Sequence, residues 1–196
     1  DQRLAHEIAR ARRSREPLSV ALVEVDFYDR YTDYFGAQQG DECARQVGAA
    51  LKAATRRAAD FVSRVEPHCF GLVLPNTHAF GAVAFGGMLV NAVDQLQLNH
   101  PKSDAGTSVT VSCGMATCVP EDATNNETVF QRVEEAMFAA REQGRHRAFS
   151  FDASATPTSD GLIVKTLHLP RASALSGELP MVDRRVPPPS TRNLIP

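Results

Sequence analysis

The stretch Ser19–Val25, Ser-Val-Ala-Leu-Val-Glu-Val, is apolar almost throughout rather than alternating. An alternating strand can leave one face in water, whereas a nearly continuous apolar run suits a strand covered on both faces. The neighbouring segments supply that cover. Leu4, Ile8 and Ala11 mark a first, basic-faced helix. Ala44, Val47, Leu51, Ala54 and Ala58 recur at three and four, which predicts a helix over Asp41–Ala59. Phe61–Val65 and Cys69–Leu74 read as two short strands joined by a Pro-led turn. Asn76 or Thr77 can cap a helix carrying Phe80, Val83, Ala84, Met88 and Ala92. Ser108–Ala116 alternates as a strand. Thr124-Asn125-Asn126-Glu127 has capping-box form before Phe130, Val133, Met137 and Ala140. Gly144 ends that helix, and His146–Phe151 reads as a last strand. The expected fold is therefore α/β: a central mixed β-sheet flanked by helices on both faces, over residues 1–152.

Residues 153–196 differ in kind. They hold seven of the twelve prolines, including Pro187-Pro188-Pro189, and several Ser and Thr. This Pro-rich composition belongs to a tail or linker, not a core. One apolar segment within it, Gly161–Leu169, is suited to docking as a strand on this domain or on a neighbour.

Composition narrows the function classes. A net charge of −2 over 196 residues gives no general electrostatic reason to bind nucleic acid or a membrane surface. No apolar run approaches the roughly 18 residues of a membrane span. The start, Asp1-Gln2-Arg3-Leu4, has neither an initiator Met nor a signal-peptide pattern and reads as a cut from a longer protein, so the missing signal says little about the parent. The expected setting is cytoplasmic. Cys43, Cys69, Cys113 and Cys118 sit in periodic segments without Cys-x-x-Cys spacing, which suits reduced, buried thiols. His6, His78, His100 and His168 read as surface residues. Arg10, Arg12, Arg13 and Arg15 read as a solvated helix face or as a junction to an upstream module.

Two longer motifs carry a resemblance. Leu-Val-Glu-Val-Asp-Phe-Tyr-Asp-Arg-Tyr-Thr-Asp-Tyr-Phe-Gly-Ala-Gln-Gln-Gly-Asp-Glu (Leu22–Glu42) resembles the GGDEF domain of diguanylate cyclases in its run of acidic, aromatic and glycine positions. Glu-Glu-Ala-Met-Phe-Ala-Ala-Arg-Glu-Gln-Gly-Arg-His-Arg (Glu134–Arg147) resembles the family's closing motif. The resemblance covers nearly all of residues 1–152 and implies the nucleotidyl-cyclase-like fold. Family members condense two GTP into cyclic di-GMP using magnesium.

In that register the signature pentapeptide is Glu66-Pro67-His68-Cys69-Phe70, and only Phe70 matches. His68 and Cys69 stand where the family has acidic residues; imidazole and thiol are poor ligands for magnesium. Glu66 and Pro67 replace glycines that let backbone crowd a ligand. The resemblance further sets Glu24 at the first metal carboxylate, Asp29 at a phosphate-side Lys, Thr32 at a guanine-contacting Asn and Ala37 at a His. Asp26 and Asp41 are retained, Arg141 stands for a phosphate-binding Lys, and Arg145 is kept. Glu24, Asp26, Asp41, Arg141 and Arg145 thus read as a vestigial nucleotide site without catalysis. A zinc site built from His68 and Cys69 is disfavoured, because adjacent strand residues point to opposite faces. No metal or other cofactor is implied.

Five residues separate the signature from Arg57-Ala58-Ala59-Asp60, the place where many family members carry an Arg-x-x-Asp site for cyclic di-GMP. Arg57 offers a planar fork to guanine or phosphate, and Asp60 accepts from guanine N–H groups. The plainer account is a helix-end cation and a turn carboxylate. The family's second arginine has no counterpart near Met88, so binding would be weaker, or shared in a homodimer. The expected function is an inactive GGDEF domain that senses cyclic di-GMP as a regulatory module. The alternative is a scaffold docking other signalling domains or proteins without nucleotide; a third possibility, GTP binding without turnover, suffers from Thr32 and the missing glycines.

Overall fold

The computed structural model describes residues 2–121, 125–152 and the backbone of 164–166. Thr124 and the tail outside 164–166, including the triple proline, Leu162, Ile163, Leu167 and His168, lie outside the described residues. In chain order the elements are α1 (Gln2–Ser14), β1 (Leu18–Val25), α2 (Tyr28–Phe35), α3 (Ala37–Ala54), β2 (Phe61–Glu66) and β3 (Cys69–Pro75). They continue with α4 (Ala79–Asp94), β4 (Val111–Cys118), α5 (Asn126–Glu142), β5 (Ala148–Asp152) and β6 (Val164–Thr166).

The strands form one mixed sheet in the order β2-β3-β1-β4-β5-β6. Only β4 and β5 run parallel; the other neighbours are antiparallel. The apolar run is the central strand, as its composition demands. Its odd residues Ala21, Val23 and Val25 meet α3 and α4 through Val47, Leu51, Phe85 and Leu89. Its even residues Leu18 and Val20 meet α1 and α5 through Leu4, Ile8, Val129 and Val133. Burying each valine and leucine among them contributes about 1.5–3 kcal/mol, so both faces of β1 are held. Residues 164–166 pair with β5, Phe149 against Thr166, so part of the apolar tail segment does dock as a strand on this domain.

Several boundaries differ from the sequence expectation, each for a local reason. The helix expected over 41–59 begins at Ala37 and ends at Ala54. There the Thr55 hydroxyl donates to the carbonyls of Leu51 and Lys52 at 3.0 and 2.7 Å, closing the last turn. Arg56 and Arg57 therefore lie beyond the helix, not in its final turn. An additional helix, α2, precedes it, joined through Gly36 at φ +86°, a backbone angle that glycine tolerates readily. The α5 cap is Asn125, whose side chain accepts from the Thr128 amide at 2.8 Å, one residue later than the capping-box frame. Helix α4 starts after His78, because Thr77 is buried and bonded to the Pro75 carbonyl. Strand β4 begins at Val111, since 108 and 109 pair instead with 99 and 98. Strand β5 begins at Ala148, because Arg145 and His146 turn at φ +61° and +51°. His100 is not a surface residue: it is fully buried, its Nε2 lies 3.1 Å from the Phe27 carbonyl, and its ring meets Tyr31 edge-on.

Candidate functional site

The site gathers at the carboxyl end of β1, where the β2–β3 hairpin, the start of β4 and the end of α5 converge. Register places Glu24 between Cys69 of β3 and Ser112 of β4. Strand alternation sends Glu24 and Asp26 to the same face. Residue Phe27 then takes a left-handed conformation, φ 55° and ψ 33°, which ends the strand and starts α2.

Each carboxylate on this end has a partner. Glu24 forms an ion pair with Arg141, delivered by the last turn of α5. Asp26 is buried and accepts from the hydroxyls of Thr110 and Ser112, both at 2.7 Å, and from the His146 amide at 3.1 Å. Burial pushes its carboxyl above the usual carboxylate range, while those three bonds and the nearby Arg145 pull against that rise. Arg145 lies with its guanidinium 4.4 Å from the centre of the Phe27 ring. The carboxyl-side turn of α5 is pinned a second time, by His146 Nε2 within 2.7–2.8 Å of both Asp94 carboxylate oxygens.

The hairpin closes through the two-residue turn Pro67-His68. His68 is half-buried rather than open, stacked on Tyr28 at 5.5 Å with 22° between ring planes. Cys69 points inward, and burial, followed by the charges of Glu24 and Glu66, pushes its thiol up to about 12. A thiol so raised is protonated at neutral pH. The retained carboxylate Asp41, in the first part of α3, accepts from Arg64 Nη1 at 2.7 Å. Arg64 also donates from Nε and Nη2 to the Pro67 carbonyl at 3.1 and 2.7 Å.

The donors at this end are one carboxylate paired with arginine, one buried and triply bonded, an imidazole and a thiol. Among the described residues, no cluster of three or more His, Cys, Asp or Glu could hold a metal.

Arg57 and Asp60 lie at the far end of β2. They share a turn, the Asp60 amide bonding the Arg57 carbonyl at 3.0 Å. The half-buried Arg57 guanidinium reaches the Thr77 hydroxyl at 3.3 Å and the Asn76 carbonyl at 3.5 Å, and Asp60 is buried. Met88 packs at the edge of the core. The five residues expected at a nucleotide site, Glu24, Asp26, Asp41, Arg141 and Arg145, therefore lie toward the hairpin end, and the Arg57–Asp60 pair stands apart from them. Arg64, Tyr28 and the His146–Asp94 pair went unmarked in the sequence. An arginine inside a short strand, three residues before a Pro-led turn, was the available signal for Arg64.

Comparison with known proteins gives concordant results. The family described as "Diguanylate cyclase, GGDEF domain" matches residues 1–147. Diguanylate cyclase DgcP of Pseudomonas aeruginosa is 27% identical over 146 residues, covering 74% of this chain and 21% of that protein. The chain spans between 21% and 35% of the length of the first curated relatives it matches. Among solved structures, the GGDEF domain of DgcB from Caulobacter crescentus, in complex with c-di-GMP, superposes with a TM-score of 0.68 at 21% identity, covering 79% of this chain and 88% of that one. Diguanylate cyclase SiaD of Pseudomonas aeruginosa, in complex with its activator SiaC, gives 0.67 at 24% identity, covering 78% and 56%.

Proposed function

This chain belongs to the GGDEF family, and from that premise we propose that it is a catalytically inactive member, a regulatory module in cyclic di-GMP signalling that senses the dinucleotide through Arg57 and Asp60. The observation that carries the inactivity is the internal pairing of the hairpin end. Phosphoryl transfer depends on metal ions and cations neutralising phosphate charge. Here Glu24 is spent on Arg141, Asp41 is spent on Arg64, and His68 and Cys69 offer nitrogen and protonated sulfur. Pro67 and Glu66 add a ring and a negative charge to the turn.

For the ligand, the support is chemical. Arg57 and Asp60 sit in one turn, a planar cation beside a carboxylate, the donor and acceptor a guanine base calls for. The similarly folded DgcB domain was solved with the dinucleotide bound. Isothermal titration tests the reading. Wild-type protein gives saturable heat with cyclic di-GMP in the micromolar range, and Arg57→Ala weakens binding roughly 5- to 150-fold, the loss of one bidentate contact of about 1–3 kcal/mol. No heat from the intact protein at tens of micromolar overturns it. The relatives carry this domain within longer proteins, and we propose the same signalling setting for this one.

A second reading, a protein-docking scaffold that needs no nucleotide, is favoured by the outer strand β2. It exposes Phe61 by 37% and Val65 by 53%. Capture of a signalling partner that is indifferent to both cyclic di-GMP and Arg57→Ala supports this second reading over the first.

A further inference from the structure

We propose that the layer formed by α1 and α5 is a docking face for a second copy of this chain, closed around Phe138. The two helices lie side by side on one face of the sheet, α1 packing through Leu4 and Ile8 and α5 through Val129 and Val133. Helices α3 and α4 cover the opposite face. Helical period fixes what α5 shows to water. Val133, Ala136, Met137 and Ala140 turn inward, so Phe138 turns out. It is 63% exposed, more than any other large hydrophobic residue among those described. The exposed stripe that contains it continues through Glu127, Gln131, Glu134 and Glu142.

Charge makes this layer complementary to itself. Helix α1 carries four arginines against one glutamate, and α5 carries four glutamates against two arginines. The lone acid of α1, Glu7, is buried and held by Arg10 at 2.9 Å and Arg3 at 3.6 Å, so the surface of α1 is basic. Both arginines of α5 are occupied away from the stripe, Arg141 with Glu24 and Arg132 over the Phe151 ring at 5.6 Å. Arg13, Glu127, Glu134 and Glu142 form no ion pair among the described residues.

These features select the occupant. A partner for the layer needs an acidic ridge opposite α1 and, beside it, a basic ridge opposite α5. A second copy presents that pair. A two-fold axis running between the helices lays each α1 on the α5 of the other chain and makes the same contact twice. Phe138 is then an apolar anchor inside a charged rim. The other two-fold arrangement, α1 on α1 and α5 on α5, opposes like charges, so charge selects the first.

Association through this layer needs no nucleotide, so sedimentation equilibrium of the 196-residue chain is measured without nucleotide or divalent metal. Expected is a reversible monomer–dimer equilibrium that weakens at least threefold in about 1 M salt, where the screening length falls to about 3 Å. Phe138→Ser, a change at an exposed position that leaves the circular dichroism spectrum intact, weakens it at least tenfold, as the loss of an interface anchor does. Arg13→Glu and Glu134→Lys each weaken it when alone. Mixing those two variants restores dimers. The mixed pair sets the introduced acid near the introduced lysine at one contact and keeps the native arginine and glutamate at the other, whereas a misfolded variant gains nothing from mixing. A chain that stays monomeric at hundreds of micromolar overturns the proposal. So does a dimer indifferent to Phe138→Ser, or a mixture no more dimeric than its separate variants.

Discussion

Cys69 is a buried thiol at the hairpin end. It occupies a strand position beside Glu24, and its thiol, held near 12, is protonated at neutral pH. It is therefore expected to react with a disulfide reagent only after denaturant exposes it, which a spectrophotometric thiol assay reads directly. Restoring acids at the signature, as His68→Asp with Cys69→Glu, is expected to leave GTP turnover undetectable by chromatography, because Arg64, Pro67 and Arg141 still fill the surroundings. His146 gives a pH-dependent prediction. Its bond to Asp94 raises its pKa above the ordinary 6.5, against the smaller opposing effect of burial. A raised histidine stabilises fully below its unfolded pKa and loses that contribution as pH rises through the folded value. The Tm difference between wild type and Asp94→Asn is therefore largest in mild acid and narrows toward alkaline pH. Buried His100, whose pKa burial lowers, acts with the opposite sign, and the comparison cancels it because both proteins keep it. Residue identities such as Glu24, Asp41 and Arg145 were legible from motif position. The pairings around them were not: Arg64 reaches Asp41, Thr110 reaches Asp26 and Asp94 reaches His146 only through tertiary contacts 23 or more residues distant.

At the scale of elements, α5 lies so close to β4 that the strand carries glycine beneath it. A Cβ on Gly114 would fall 2.4 Å from the Met137 amide nitrogen and 2.6 Å from the Val133 carbonyl oxygen, both backbone atoms that cannot swing aside. Gly114→Ala therefore forces helix and strand apart, and overpacking of this kind costs about 1–3 kcal/mol, a fall in Tm of roughly 2–12 °C by differential scanning calorimetry. The same displacement moves Arg141 relative to Glu24. Central strands and long helices were readable because their apolar periods persist over many residues: β1 and α4 lie within a residue or two of expectation. Element ends were less so. Thr55 closing α3 through its hydroxyl, and the left-handed Arg145 and His146 delaying β5, are single-residue decisions that leave no periodic trace. Helix α2 was hidden because its eight residues span too few turns to show a period inside a segment read for its motif.

Among the described residues the molecule is a six-stranded sheet with two unlike margins. On one side β2 is outermost; on the other, β5 is covered by residues 164–166, drawn from beyond the core. Deleting residues 153–196 uncovers the β5 backbone, and unpaired strand edges template association. Amides of β5 are expected to exchange with deuterium faster in the truncated protein while those of β1 are unchanged, and the truncated protein is expected to self-associate more at high concentration in light scattering. The sheet, its helical cover and the strand docked from the tail all agree with expectation, since they follow from burial, which sequence pattern reports well. Electrostatic pairing across the hairpin does not follow from pattern, and it has a historical consequence. Asp41 is paired with Arg64, and Glu24 with Arg141. A lone substitution strands its counterpart, so descendants and kin should exchange these residues two at a time, and an alignment of near relatives should show the Arg64 and Asp41 columns mutating in step.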